Sequence, residues 1–162
     1  MDLNDISGII AMIMGMALII LAVFNRNIIA LTLNLSLICF GILALFKGGY
    51  IRKESDNIYS NISFVIGIIM LLFGCLALFY PNILSFLNGF EYYIIVPVLL
   101  IFGINGILSN LSYIFDLSSI LTIIIGIILI YLAVFSSIDS MNIIISLTIT
   151  LIGDGIALFI SY

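Results

Sequence analysis

The sequence has no histidine, two cysteines, two prolines and four basic residues, and charged residues make up only 7% of its 162 positions. Without histidine a Ser-His-Asp catalytic arrangement is impossible. Two cysteines and no histidine also exclude a zinc cluster or a haem site built from this chain alone. Four lysines and arginines cannot form a phosphate-binding face, so no nucleic acid partner is expected. There is no phosphate-cradling loop either, because Lys47-Gly48-Gly49 reads as a helix stop followed by a linker. No cofactor, no metal and no enzymatic activity are therefore expected. Cys39 and Cys75 read as apolar filler that forms no disulfide.

What fills the space left by these absences is hydrocarbon. Hydrophobic residues are 65% of the chain and the mean hydropathy is +1.47, against about 45–50% apolar in soluble domains. Such a chain cannot cover itself with polar surface, so the lipid bilayer is its expected partner and solvent. Six apolar segments, approximately 6–24, 28–46, 62–80, 93–111, 118–135 and 142–160, are long enough to cross a hydrocarbon core that needs roughly 20 residues per helix. Their lack of polar alternation argues against a barrel, and isolated strands would leave unpaired backbone groups in lipid. The expected fold is an all-α membrane protein of six transmembrane helices in a single domain, residues 1–162. Asp2 and Asp5 stand where a signal peptide would carry basic residues, so the first segment reads as a retained helix.

The segments look repeated. Leu21-Ala22-Val23-Phe24, Leu76-Ala77-Leu78-Phe79 and Leu132-Ala133-Val134-Phe135 end the first, third and fifth segments, with their phenylalanines 55 and 56 residues apart. Gly8, Gly15 and Ala22 recur at intervals of seven, as do Ser119, Gly126 and Ala133, while Gly67 and Gly74 form a shifted stripe that Ala77 extends. A spacing of seven returns small residues to nearly one helical face, where backbones can approach closely in lipid. The returning segments share a Gly-Ile mark at Gly41, Gly106 and Gly155. Each repeat (approximately 6–48, 62–111 and 117–162) reads as one helical hairpin.

This pattern resembles the HdeD-like family of short-repeat membrane proteins, linked in some bacteria to acid resistance. The resemblance rests on the glycine-spaced apolar helix ending in Leu-Ala-x-Phe near a proline, best seen from Gly67 to Pro81, followed by a helix with Gly-Ile. It covers three hairpins and implies neither a known enzymatic activity nor a catalytic residue.

Residues 47–61 read as the one distinctly polar linker, holding Lys47, Arg52 and Lys53. Short basic loops stay cytoplasmic, which places this linker and both termini inside the cell membrane and Arg26 outside. Residues 81–92 read as a longer aromatic-rich connection.

Asp154 is the one acid expected well inside a helix, and such a residue is a site candidate by default. Asn105 occupies the matching place before Gly-Ile in the second repeat, and Asn34 lies nearer the outer half of another helix. With no basic partner at its depth, Asp154 is expected to be a buried neutral carboxyl joining two hairpins. The favoured reading is a non-enzymatic multi-pass membrane protein with a structural or stress-related role, and homo-oligomers are possible. The alternative is a small transporter or proton pathway using Asp154 and Asn105.

Overall fold

The computed structural model describes residues 3–54, 57–80, 91–135 and 139–160. Among them are six α-helices: α1 Leu3–Phe24, α2 Ile29–Glu54, α3 Asn57–Phe79, α4 Glu91–Leu108, α5 Tyr113–Phe135 and α6 Ser140–Ile160. A single 3-10 turn, Arg26–Ile28, joins α1 to α2. No strand occurs among the described residues. Five of the helices are long and apolar enough to cross a membrane, and the apolar part of α4, Tyr92–Leu108, is shorter.

The distribution of side chains is inverted relative to a water-soluble bundle. Ile13, Leu72, Ile104, Ile127 and Phe159 are exposed, whereas Lys47, Ser63, Asn105, Ser119 and Asp154 are buried. A soluble protein almost never buries Lys or Asp fully while exposing a continuous coat of isoleucine and leucine. The arrangement suits a chain whose surroundings are hydrocarbon and whose helices satisfy their own backbone groups. Phe24, Phe79 and Phe135, which close the three Leu-Ala-x-Phe endings, are all exposed at the same end of the bundle.

The closest helix pairs are α2 with α3, α6 with α1, and α4 with α5. Each is a returning helix packed against the outgoing helix of the next proposed hairpin, with α6 closing onto α1. The glycines explain why. A Cβ on Gly41 would sit 2.9 Å from the carbonyl oxygen of Gly67, and one on Gly67 would sit 2.9 Å from that of Gly41. Gly8 and Gly155 face each other in the same way, at 2.6 and 3.0 Å. On the third pair Gly106 abuts Ser119. The Gly-Ile marks and the small-residue stripes thus meet one another, but between the expected hairpins and not within them. Gly15 packs on Ile152, Gly74 on Ile38 and Gly126 on Leu100. Ala22 is buried, while Ala77 and Ala133 are half-buried.

Two expectations need correction. Residues 47–54 are helical, so Lys47-Gly48-Gly49 does not stop α2, and α3 already begins at Asn57. Most of the expected polar linker, 47–54 and 57–61, is therefore helical, and Lys47 is fully buried. It therefore no longer contributes to the charge bias of an exposed loop; Arg52 and Lys53 remain at that end of the bundle and Arg26 at the other. The second correction is at α5, which starts at Tyr113, so that most of the expected connection 111–117 is helical and Ser118 and Ser119, expected at the head of this helix, lie more than a turn inside it. The Ser112 hydroxyl accepts a hydrogen bond from the Phe115 N–H at 3.3 Å, an N-terminal cap. Asn110 closes α4 at φ 50, a left-handed conformation that asparagine tolerates. The expected aromatic-rich connection falls mostly on 81–90, outside the described residues.

Candidate functional site

Lys47, Ser60, Ser63, Asn105, Ser118, Ser119 and Asp154, all buried, gather in one layer about one to two turns from the end of the bundle where α2, α4 and α6 finish and α1, α3 and α5 begin. The apolar stripe of α2 brings Lys47 there: Phe40, Ala44, Lys47 and Ile51 follow one another at intervals of four, three and four, and all are buried. A residue in that register points into the bundle whatever its chemistry.

The Lys47 Nζ lies 3.2 Å from Asp154 Oδ1 and 3.3 Å from Oδ2, an ion pair whose two side chains are both 0% exposed. Two neighbouring hydroxyls on α5 complete it. Ser118 Oγ donates to Asp154 Oδ1 at 2.5 Å, and Ser119 Oγ accepts from Lys47 Nζ at 3.4 Å while donating to the Phe115 carbonyl at 2.8 Å. Two aromatic faces flank the ammonium, Phe102 of α4 at 4.2 Å and Phe115 of α5 at 4.7 Å from ring centroid to Nζ. Such faces attract cations, most strongly where water is excluded. Gly106 supplies the remaining space, because a Cβ there would come within 3.0 Å of Nζ and would collide with Ser119 Oγ. Four helices thus converge on one ammonium.

Each charge alone would cost about 2.5–3.5 kcal/mol at the middle of a transmembrane helix. Together they form a neutral unit with hydroxyl and aromatic partners, the condition under which a buried pair is tolerated. The expectation of a carboxyl without a basic partner is overturned. Its partner comes from α2, where the cluster of Lys47, Arg52 and Lys53 read as a loop. The register of α2 carried the signal: the apolar face continues through Tyr50 and Ile51 beyond the two glycines, and Lys47 falls on that face.

Asn105 lies in the same layer but serves other partners. Its Nδ2 donates to the Tyr59 carbonyl at 2.9 Å and to Ser63 Oγ at 2.8 Å, joining α4 to α3. Ser60 Oγ donates to the Gly48 carbonyl at 2.9 Å, joining α3 to α2. The sequence-predicted pair Asp154 and Asn105 is thus brought to one level, but each bonds different partners. Asn34 is half-buried in the opposite half of α2 and its carbonyl packs near Gly74, so it does not belong to this layer. Buried Thr122, Thr148 and Thr150 hydrogen-bond the carbonyl four residues earlier in their own helices, and Thr32 does the same to Ile28 in the preceding turn. Cys39 and Cys75 are both free.

Two grooves open on the flanks. One, of about 390 Å³, runs between α5 and α6 past Leu117, Ser118, Leu121, Gly153 and Ile156. The other, of about 380 Å³, lies between α4 and α5 beside Pro97, Tyr93 and Ala133. No family model, no curated protein and no solved structure matches the chain.

Proposed function

We propose that this chain is a non-enzymatic multi-pass protein of the cell membrane, with a structural or stress-related role of the HdeD-like kind, whose helices are fastened by the Lys47–Asp154 pair. The observation that carries the reading is the closure of the pair: both side chains are wholly buried and engaged by Ser118, Ser119, Phe102 and Phe115. The pair ties α2 to α6, and the two serines tie α5 to both. In the same layer Asn105 separately ties α4 to α3. A transport route through Asp154 and Asn105 would call for the two to share a ligand or a hydrated space, whereas each is engaged by different partners.

A double-mutant cycle in detergent tests the fastening. Lys47→Met and Asp154→Leu, each alone, strand a buried charge and are expected to lose about 3–5 kcal/mol. The double variant removes both charges and is expected to recover most of that loss. Asp154→Asn belongs with the damaging substitutions, because it leaves the ammonium without a counter-charge. Additive losses across the cycle, or single variants as stable as the wild type, would end the reading.

A further inference from the structure

The surroundings of Lys47 Nζ form a complete receptor for an ammonium group, and the chain fills it with its own. A carboxylate contributes two oxygens, Ser119 an acceptor, and Phe102 and Phe115 their ring faces. Two aromatic faces with only a few oxygens match a small organic cation better than an alkali ion, which takes six or so oxygen ligands. The resident is held by a flexible four-carbon stem and not by a rigid element. The receptor also has a flank turned to the outside. The groove of about 390 Å³ between α5 and α6 has Ser118 in its lining, the same residue that donates to Asp154 Oδ1. Its other wall is the bare backbone of Gly153, the neighbour of Asp154, where an added Cβ would meet only Leu121 at 3.3 Å. The remaining walls are aliphatic, including Leu117, Leu121 and Ile156.

From these observations we propose that the groove between α5 and α6 admits a primary alkylammonium group to Asp154, where it takes the place of the Lys47 ammonium. The incoming cation donates to the two carboxylate oxygens and lies against the ring faces, and Lys47 is released to carry its charge toward the near end of the bundle. Charge at the carboxylate is conserved throughout. Two sources offer this chemistry: a free aliphatic amine, and the ethanolamine headgroup of a bilayer lipid lying along the aliphatic walls. The inference uses the same cluster as the fastening proposed above but is separable from it.

Lysine occurs only at positions 47 and 53, so protein labelled with ¹⁵N at lysine Nζ gives one signal from the buried site and one from the exposed Lys53, assigned through Lys53→Arg. In nanodiscs of choline-headgroup lipid, titration with n-propylammonium is expected to move the Lys47 signal to the position of an exposed lysine, and 1-propanol is expected to leave it in place. Nanodiscs of ethanolamine-headgroup lipid without added amine form the second arm. Movement there assigns the ligand to the headgroup, and movement only with n-propylammonium assigns it to free amines. Gly153→Leu, which puts a side chain into the groove, should suppress the response; a response that persists refutes the groove as the route. A Lys47 signal unmoved in both arms refutes the exchange.

A second measurement separates this inference from the fastening. Lys47→Ala removes the atoms that n-propylammonium supplies, so that cation should restore most of the melting temperature lost, and should restore none in Lys47→Ala/Asp154→Asn. A loss without restoration refutes the receptor and leaves the fastening intact. No loss at all refutes the fastening.

Discussion

Lys47 and Asp154 neutralise each other's charge in a place that water does not reach, and that mutual need sets them apart from the hydrogen bonds of Asn105 and Ser60. Interhelical hydrogen bonds in membranes contribute about 0.6 kcal/mol on average and about 1.7 at most, well below the penalty for one stranded charge. Asn105→Leu, which deletes the bonds to Tyr59 and Ser63, is therefore expected to lower stability by about 0.5–2 kcal/mol, clearly less than Lys47→Met in the same thermal assay. Gly106→Ala tests the space around the ammonium. Its new methyl would press on Ser119 and Lys47, and overpacking of this kind typically costs about 1–3 kcal/mol. A melting temperature for Gly106→Ala at or above the wild-type value would show that the ammonium is not confined as described. At this scale the sequence was legible for Asp154, because an acid inside an apolar run has no ordinary explanation. It was misleading for Lys47, which stands beside two glycines and close to Arg52, Lys53 and Glu54, a composition that exposed loops share. Ser118 and Ser119 were half legible: Ser119 stood out as a small residue for packing, and its role as an acceptor for an ammonium needed the third dimension.

Among the helices, α2 shows how far local composition can diverge from tertiary outcome. Gly48 and Gly49 are adjacent, yet a Cβ on Gly48 would meet Ser60, Ser63 and Phe64 at 3.2–3.3 Å, and one on Gly49 would meet nothing within 4 Å. Gly48 is there for the close approach of α3, whereas Gly49 has no neighbour that requires it. Alanine at Gly49 is expected to stabilise α2 by about 0.5–1 kcal/mol, since a mid-helix glycine costs that much in backbone entropy. Alanine at Gly155 is expected to destabilise, because its Cβ would approach the Gly8 carbonyl and Met12 at 3.0–3.1 Å. Parallel thermal melts of the two variants check the pair; a stabilising Gly155→Ala would mean that α1 and α6 are not held backbone to backbone. Helix existence and type were readable from length and hydropathy alone. Which helix sits against which was not, because a small-residue stripe states that a close neighbour exists without stating its identity. The Gly-Ile marks and the seven-residue stripes were each visible as patterns, and only packing reveals that they are the two halves of the same contacts.

For the molecule as a whole, orientation is the property most easily tested. With Lys47 withdrawn into the core, the bias rests on Arg52 and Lys53 against Arg26, and it still favours a cytoplasmic position for the end where α2 finishes. In a background lacking Cys39 and Cys75, cysteine at the exposed Glu54 should resist an impermeant thiol reagent added outside intact cells, and cysteine at the exposed Asp139 should react. The reverse pattern would invert the bundle.

The ion partners are also 107 residues apart in the chain, and synthesis runs in one direction. At about 5–20 residues per second, α2 is made roughly 5–20 s before the ribosome delivers Asp154. For that interval Lys47 lacks Asp154, and a lysine near a helix end lowers its cost by reaching for the headgroups. A nascent chain is therefore expected to hold α2 shallow until α6 arrives, with Lys47 descending once Asp154 is in place. A chain interrupted before α6 would keep an unsatisfied cation at the membrane surface, a mark by which quality-control proteases could tell an unfinished protein from a finished one.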